Sequence, residues 1–406
     1  MTYNFKLFWR MAVRSFFGTR GTHGRLTRKR VLFLLLFYTV WPAWTVFTWA
    51  CLLLDDLLFP AYKQQEIDKP LFIIGNFRSG STFLHRLLSR ETETFTSLRT
   101  WDIFITPSIT QRKISGAFAA LDRVFGSPLK RFLVNFDRRS LGQVKIHPIS
   151  LFEPEEDENI LLHAWSTFFV SFMFPFLDEM PPYQFFDTAL SADEKKRIMS
   201  FYRSMLQRHI YATGGKKHFV AKNPAFSAKI ETLVEFFPDA RSLYRARNPL
   251  DMLPSTISWL SYAYGVFSSL ETKYIYRDEV LALTKFWYHH PLGYLDRNPS
   301  PNRLIVSYDD LIQQPEAVVR HFYTQFGYGS VDALEKIIDQ AIEETRAHRS
   351  DHVYKYEQMG FTRAEIVREF DDIFTRFNFD RRDPAHPESA PVILPRISAE
   401  VPFAAD

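Results

Sequence analysis

Between residues 71 and 88 the chain reads Leu71-Phe-Ile-Ile-Gly75-Asn-Phe-Arg78-Ser79-Gly80-Ser81-Thr82-Phe-Leu-His-Arg-Leu-Leu88. An apolar run that enters a Gly/Ser-rich turn and leaves as a helix gathers successive backbone N–H groups and a positive helix end around one point. That arrangement suits an anion. Gly75 and Gly80 have four residues between them and Thr82 follows, but Ser81 stands where nucleotide-hydrolysing loops carry a phosphate-gripping lysine. Arg78 supplies the nearest positive charge. The competing reading is that the glycines and serines serve only turn geometry and helix capping.

A second anion site is legible at Tyr244-Arg-Ala-Arg247-Asn248-Pro249-Leu-Asp-Met-Leu-Pro-Ser255. Arg247 leaves a strand, Asn-Pro turns the chain, and Ser255 falls on the following helix, so a guanidinium and a hydroxyl can share one phosphate. Taken alone, Arg247 also reads as a solvated surface charge, as does Lys222 at another strand end.

The elements that must carry these residues form an α/β pattern. Strands are predicted at Leu71–Gly75, His218–Ala221, Ser242–Ala246 and Leu304–Ser307, with helices at Thr82–Arg90, Ala192–Ile210, Ala228–Phe237 and Pro315–Phe326, the last closed by Gly327. Strands separated by helices predict a mostly parallel central sheet flanked by helices, with ligands at the carboxyl ends of its strands. Both anion sites and Lys222 lie at such ends.

In this order, the motifs make the chain resemble sulfotransferases that use 3′-phosphoadenosine 5′-phosphosulfate (PAPS), particularly a bacterial branch with a P-loop-like fold, over roughly residues 70–377. Arg78-Ser79-Gly80-Ser81-Thr82 is similar to the family's 5′-phosphosulfate loop. Arg247 and Ser255 are similar to its 3′-phosphate pair, with Asn248 replacing the more usual aspartate. Lys222-Asn223-Pro224, Val306-Ser-Tyr308-Asp-Asp-Leu311 and Tyr356-Glu-Gln-Met-Gly360-Phe are further matches.

The resemblance implies transfer of a sulfuryl group to a hydroxyl, with no metal, and with Lys222 stabilising charge on the transferring group. Placement and electrostatics carry such a reaction. A general base is also needed. Asp102 falls where related enzymes carry a glutamate about two dozen residues after the loop arginine; His147 is second, and Glu155 or Glu156, in an acidic run that otherwise reads as a solvated loop, are rivals. Two other readings stand beside this one. A nucleotide kinase or NTPase with a degenerate P-loop would need a Mg²⁺ carboxylate at a strand end, and a membrane-attached nucleotide-binding protein would lack chemistry.

The charge balance divides the chain. Its formal +4 includes eight Lys/Arg and no Asp or Glu in residues 1–54, which leaves 42 basic and 46 acidic residues after them, a body of −4. A nucleic-acid-binding enzyme is disfavoured. One cysteine, Cys51, excludes an intrachain disulfide and fits a reducing compartment.

Residues 1–30 are expected to form a basic segment on a membrane surface, with Lys6, Arg10 and Arg14 on one helical stripe and Phe5, Phe8, Ala12 and Phe16 on another. Residues 31–59 contain 24 uncharged residues, Val31–Leu54, split by Pro42, and are expected to be a membrane anchor or a re-entrant hairpin. Basic flanking residues argue against a buried core helix, and the segment's length and lack of a small-residue cleavage site argue against a signal peptide. The only Asn-x-Ser/Thr sequence, Asn298-Pro299-Ser300, is disqualified by its proline, which together with the absence of disulfides favours a catalytic domain facing the cytosol over a luminal type II arrangement. The uncharged, Phe-rich run Ile160–Leu177 reads as a core helix, an acceptor-pocket wall or a second membrane contact, and the expected acceptor is a hydrophobic or lipid-like alcohol. Residues 380–406 read as a loose Pro-rich tail.

Overall fold

The computed structural model describes residues 2–141, 150–268, 276–329, 337–338 and 356–381. Its centre is a five-stranded sheet of β1 (Leu71–Gly75), β2 (Phe95–Thr96), β3 (His218–Lys222), β4 (Arg241–Ala246) and β5 (Arg303–Ser307), in the order β2-β3-β1-β4-β5. Every pairing is parallel, with Ile73 opposite Lys222 on one side and Gly75 opposite Arg245 on the other. All five residues of β1 are buried because the sheet is covered on both faces. Leu71 and Ile73 pack with Leu84, Leu88, Val306 and Phe322, whereas Phe72 and Ile74 enter the larger core with Phe226 and Phe237. This period-two division explains why β1 reads as a continuous apolar run. The two-residue β2 is too short to leave a pattern in the sequence.

The helix after β1, α3 (Ser81–Arg90), begins at the Gly/Ser turn, and Gly327 closes Pro315–Phe326 in a left-handed conformation, as its position predicts. Ile160–Leu177 is core: it forms the end of a 3-10 turn, a left-handed Trp165 and a short helix, and most of its side chains are buried. Intact backbone hydrogen bonding in so irregular a segment needs protein on every side.

At the N-terminus, α1 (Phe5–Phe17) and α2 (Arg28–Leu58) pack against this body. The expected hairpin is not formed, because α2 runs unbroken through Pro42. One stripe of α2 is buried along its length: Arg30, Leu34, Phe37, Thr45, Thr48, Leu52 and Asp55. The opposite face exposes Leu32, Leu35, Leu36, Val46, Leu53 and Leu57. Among the described residues α2 is the one helix long and apolar enough to cross a membrane.

The stripes expected on α1 also differ. Phe8 and Phe16 face the core, Arg10 and Arg14 are ion-paired with Glu179 and Asp178, and the outward face is the apolar series Phe5, Trp9, Val13 and Phe17. Acidic partners supplied by residues 178–179 neutralise charge that sequence alone assigns to a lipid surface.

The far end of α2 is fixed by a buried carboxylate. Asp55 accepts from the Ile109 N–H at 2.9 Å, the Thr110 N–H and Thr110 Oγ at 2.7 Å each, and Arg208 Nε at 3.0 Å. It thereby caps α5 (Ile109–Val124) and ties it to α2. Asp55→Ala takes from the buried Arg208 one of its two carboxylates, leaving Asp56 at 3.1 Å, and removes the cap of α5, so a loss of about 3 kcal/mol is expected. Urea unfolding of the full chain measures it; a loss below about 1 kcal/mol would mean that the pair does not hold α2.

Candidate active site

The Gly/Ser loop sits at the carboxyl edge of β1, where two glycines are required by close approach. Gly75 has φ +147°, and a Cβ there would lie 2.5 Å from the Arg245 carbonyl oxygen. Gly80, at the start of α3, has φ +80°, and its Cβ would meet the Tyr308 ring at 2.5 Å. Arg78 between them is left-handed at φ +60°, an unfavourable conformation for a side chain of that size that the surrounding contacts must maintain.

Those contacts join the two anion sites. Arg78 Nε donates to Ser255 Oγ at 3.0 Å, and Arg247 Nη1 donates to the Arg78 carbonyl at 2.6 Å. The Arg247 guanidinium stacks over the Tyr308 ring at 4.3 Å, and the Tyr288 hydroxyl donates to the Arg247 carbonyl. Beneath them Arg245 is fully buried and donates from Nη2 to the Ser79 carbonyl at 3.0 Å. Burial lowers the Arg245 pKa to about 10, so it remains charged at neutral pH.

Several buried donors here lack a partner among the described residues: Arg245 Nε and Nη1, Arg247 Nε, the Asn223 amide and Ser79 Oγ. Unsatisfied buried donors are costly, and two guanidiniums among them call for an anion. The residues therefore fit a ligand that carries phosphate or sulfate groups.

Lys222 ends β3, in register with Ile73, and its Nζ lies 2.7 Å from Glu156 Oε1, both side chains being buried. The acidic run is not a solvated loop after Glu155. Glu156, Asp157 and Glu158 are all buried, each with its own partner: Lys222, the Tyr202 hydroxyl and, at 2.7 Å, Lys229. Three consecutive acids can be buried because β3 and the segment after it bring lysines to Glu156 and Glu158 from more than sixty residues away, and Tyr202 brings a hydroxyl to Asp157.

Asp157 gives this region a pH dependence. Burial pushes its carboxyl up to about 7, against the Tyr202 hydrogen bond, which lowers it. With the folded value above the unfolded one of about 3.9, its contribution to stability is complete below about pH 4 and is lost as pH rises through about 7. Asp157→Asn should therefore flatten the fall in Tm between pH 5 and 8. A fall identical to the wild type's would place the titrating group elsewhere.

Asp102 has a different occupation from the one expected. It is buried in α4 (Thr100–Phe104), where Oδ2 accepts from the Arg99 N–H at 3.1 Å and Arg99 Nε at 3.0 Å, with Arg112 Nη2 3.6 Å from its other oxygen. Burial raises its pKa, but Arg112, His209 and Arg99 together hold it below the ordinary carboxylate range. A carboxylate so stabilised is a poor proton acceptor. His147 lies outside the described residues, as does the chain beyond 381.

Arg245 and Tyr308 are the candidate site residues that sequence reasoning did not single out, each standing there only inside a longer motif. An arginine in the Tyr244-Arg245-Ala246 alternation of a buried strand was the available signal.

Comparison with known proteins bears on the family and the fold. A family model described as the sulfotransferase family matches residues 70–332. Omega-hydroxy-beta-dihydromenaquinone-9 sulfotransferase Stf3 of Mycobacterium bovis and of Mycobacterium tuberculosis is 24% identical over 333 residues, which cover 80% of this chain and 79% of the relative. Among solved structures, sulfotransferase STF9 from Mycobacterium avium superposes with a TM-score of 0.66 at 17% identity, covering 94% of this chain and 98% of that one. Sulfotransferase STF1 from Mycobacterium tuberculosis H37Rv gives 0.63 at 15% identity, with 91% and 94% covered. At these identities the two structures speak to the fold.

Proposed function

The chain belongs to the sulfotransferase family, and from that premise we propose that it moves a sulfuryl group from PAPS to the hydroxyl of a hydrophobic, membrane-borne alcohol. The single observation that carries the donor assignment is the joined pair of anion sites, with Arg78 on Ser255, Arg247 on the Arg78 carbonyl, and unpartnered buried donors around them.

In this reading Ser79, Gly80, Ser81 and Thr82 with Arg78 hold the 5′-phosphosulfate through backbone N–H groups, hydroxyls and charge. Arg247 and Ser255 hold the 3′-phosphate, and Arg245 keeps the loop in place from below. PAPS, when bound, supplies the sulfuryl group on a good leaving group. Lys222 places positive charge where negative charge grows during transfer. We assign the general base to Glu156 in place of Asp102 on position: Glu156 touches Lys222 at the end of β3, and it becomes available to accept a proton as Lys222 turns from it to the transferring group.

The acceptor's character rests on two supports. One is the relative Stf3, whose name specifies a hydroxylated menaquinone. The other is the apolar outer face of α1 and α2. Arg30 and Asp55 are both buried against one body, yet 25 residues of helix separate them by about 37 Å, more than a bilayer core of about 30 Å. A perpendicular crossing would pull that body into the lipid. We therefore propose a monotopic enzyme lying on one leaflet, with the catalytic domain on the cytosolic side.

Incubation with radiolabelled PAPS and a long-chain primary alcohol in vesicles tests the function, and a labelled sulfate ester is expected. No transfer to any alcohol would overturn the acceptor reading, and no binding of adenosine 3′,5′-bisphosphate would overturn the donor site. Glu156→Gln should remove most turnover while adenosine 3′,5′-bisphosphate still binds; because it leaves the buried Lys222 without its carboxylate, a stability loss of up to about 3–5 kcal/mol is expected alongside. Trp9→Asp with Leu35→Asp should release the protein from floated vesicles; retention would place the membrane contact elsewhere.

A further inference from the structure

A concavity that shares no lining residue with the anion sites lies between α2, α4, α5 and α6 (Pro128–Phe136). It has a volume of about 520 Å³, and its wall is mostly apolar, built from Trp44, Phe47, Trp101, Phe118, Leu133 and Phe152, among others. The size falls within the range of pockets that enclose small ligands. Its rim includes the exposed residues Phe47, Phe118 and Leu129. Those rim residues continue into the exposed apolar outer faces of α2, α5 and α6, including Val46, Leu121 and Phe132. The mouth is therefore in the surface that faces lipid in the monotopic arrangement.

One wall of this cavity, made by Trp101 and the exposed Phe152, lies close along the chain to Glu156. Trp101 and Phe152 stack there, with ring centroids 6.3 Å apart. Their segments pair: the Trp101 N–H donates to the Leu151 carbonyl at 2.9 Å, Arg99 bridges Pro154 in an antiparallel sense, and the Glu155 N–H donates to the Leu98 carbonyl at 3.0 Å. The next residue is Glu156, which reaches Lys222. Phe152 and Glu156 are four positions apart, at most about 13 Å of extended chain. The pairing thus places an apolar chamber within a short stretch of chain of the proposed base and of Lys222.

We propose that this cavity binds the apolar chain of the acceptor alcohol, which enters sideways from the bilayer with its hydroxyl leading to Lys222 and Glu156. The proposal rests on the reading of a hydrophobic acceptor given above and adds where its chain lies. With its hydroxyl at Glu156, a longer acceptor buries more apolar surface in the cavity, so recognition rises with chain length. A bulky side chain within the chamber should act on long acceptors selectively.

The test uses the full chain in vesicles and a long-chain primary alcohol that carries a photoactivatable diazirine near its far end. Crosslinks located by mass spectrometry are expected on α2, α5 and α6, around Phe47, Phe118 and Leu133. Ala119→Trp, which fills the chamber from α5, should reduce that labelling at least tenfold. It should also lower the ratio of kcat/KM for a long over a short alcohol at least tenfold, with an unaltered thermal melt as the folding control. Crosslinks confined to other surfaces, or a ratio unmoved in a folded variant, would overturn the proposal. Equal labelling by a phospholipid bearing the same diazirine would make the chamber a lipid-anchoring groove and also overturn it. Because labelling needs no turnover, a wild type that crosslinks here without transferring sulfate separates failure of the functional reading from failure of this one.

Discussion

Lys222→Ala should lower kcat about 10²–10³-fold, the loss that follows removal of one preorganised charge-stabilising group from a water-excluded site. Two effects enter that measurement and have to be separated. Lys222 is buried against Glu156 at 2.7 Å, so removing the cation alone leaves a buried carboxylate uncompensated, at a cost of about 3–5 kcal/mol in stability. The double variant Lys222→Met with Glu156→Gln replaces the ion pair by neutral groups of similar size and should recover much of that stability without recovering turnover. Adenosine 3′,5′-bisphosphate, which lacks the transferring group, should bind both variants with nearly wild-type affinity. Turnover within threefold of wild type in a folded Lys222→Ala protein would remove the lysine from the chemistry.

The same ion pair shows where sequence reading stopped. Lys222 was legible as a strand-end cation because β3 is a short run of consecutive residues whose pattern is local. Glu156 was legible only as one acid in a run of five. Its burial depends on a contact between positions 66 apart, and neither periodicity nor composition reports such a contact. The Gly/Ser loop proposed to hold phosphate was fully local, with strand, glycines and helix start within twelve residues, and its placement beside β4 followed from parallel topology. Arg245 hid because a buried strand normally alternates apolar residues over its two faces, and an arginine under a backbone loop departs from that pattern for the sake of the site. On α1, counting charges identified the basic stripe but not its partners: Asp178 and Glu179 lie far away in sequence, and neutralisation by them turns the other face outward. Pro42 misled differently. A proline removes one backbone donor and pushes on the preceding turn, yet α2 is held on its buried stripe both before and after that residue, and packing outweighs the local preference.

Arg247→Ala should weaken adenosine 3′,5′-bisphosphate binding about 10²-fold, the equivalent of about 2.7 kcal/mol, within the range for a lost charge-assisted contact. The guanidinium does two things, holding the Arg78 carbonyl at 2.6 Å and presenting an unpartnered Nε at the site. Adenosine 5′-monophosphate distinguishes them, because it lacks the 3′-phosphate. If Nε and its neighbours read that phosphate, the variant loses its preference for the bisphosphate over the monophosphate, and the two Kd values converge. If Arg247 acts only through the Arg78 carbonyl, both ligands lose affinity in equal proportion and the preference survives. Arg247→Lys should rescue little in the first case. A lysine ammonium can restore charge, but it cannot stack flat on Tyr308 while donating in two directions from one plane. The geometry favours convergence: the guanidinium is pinned between the Tyr308 ring and a main-chain carbonyl, so its remaining N–H is fixed in orientation before any ligand arrives, and little entropy is left to lose on binding.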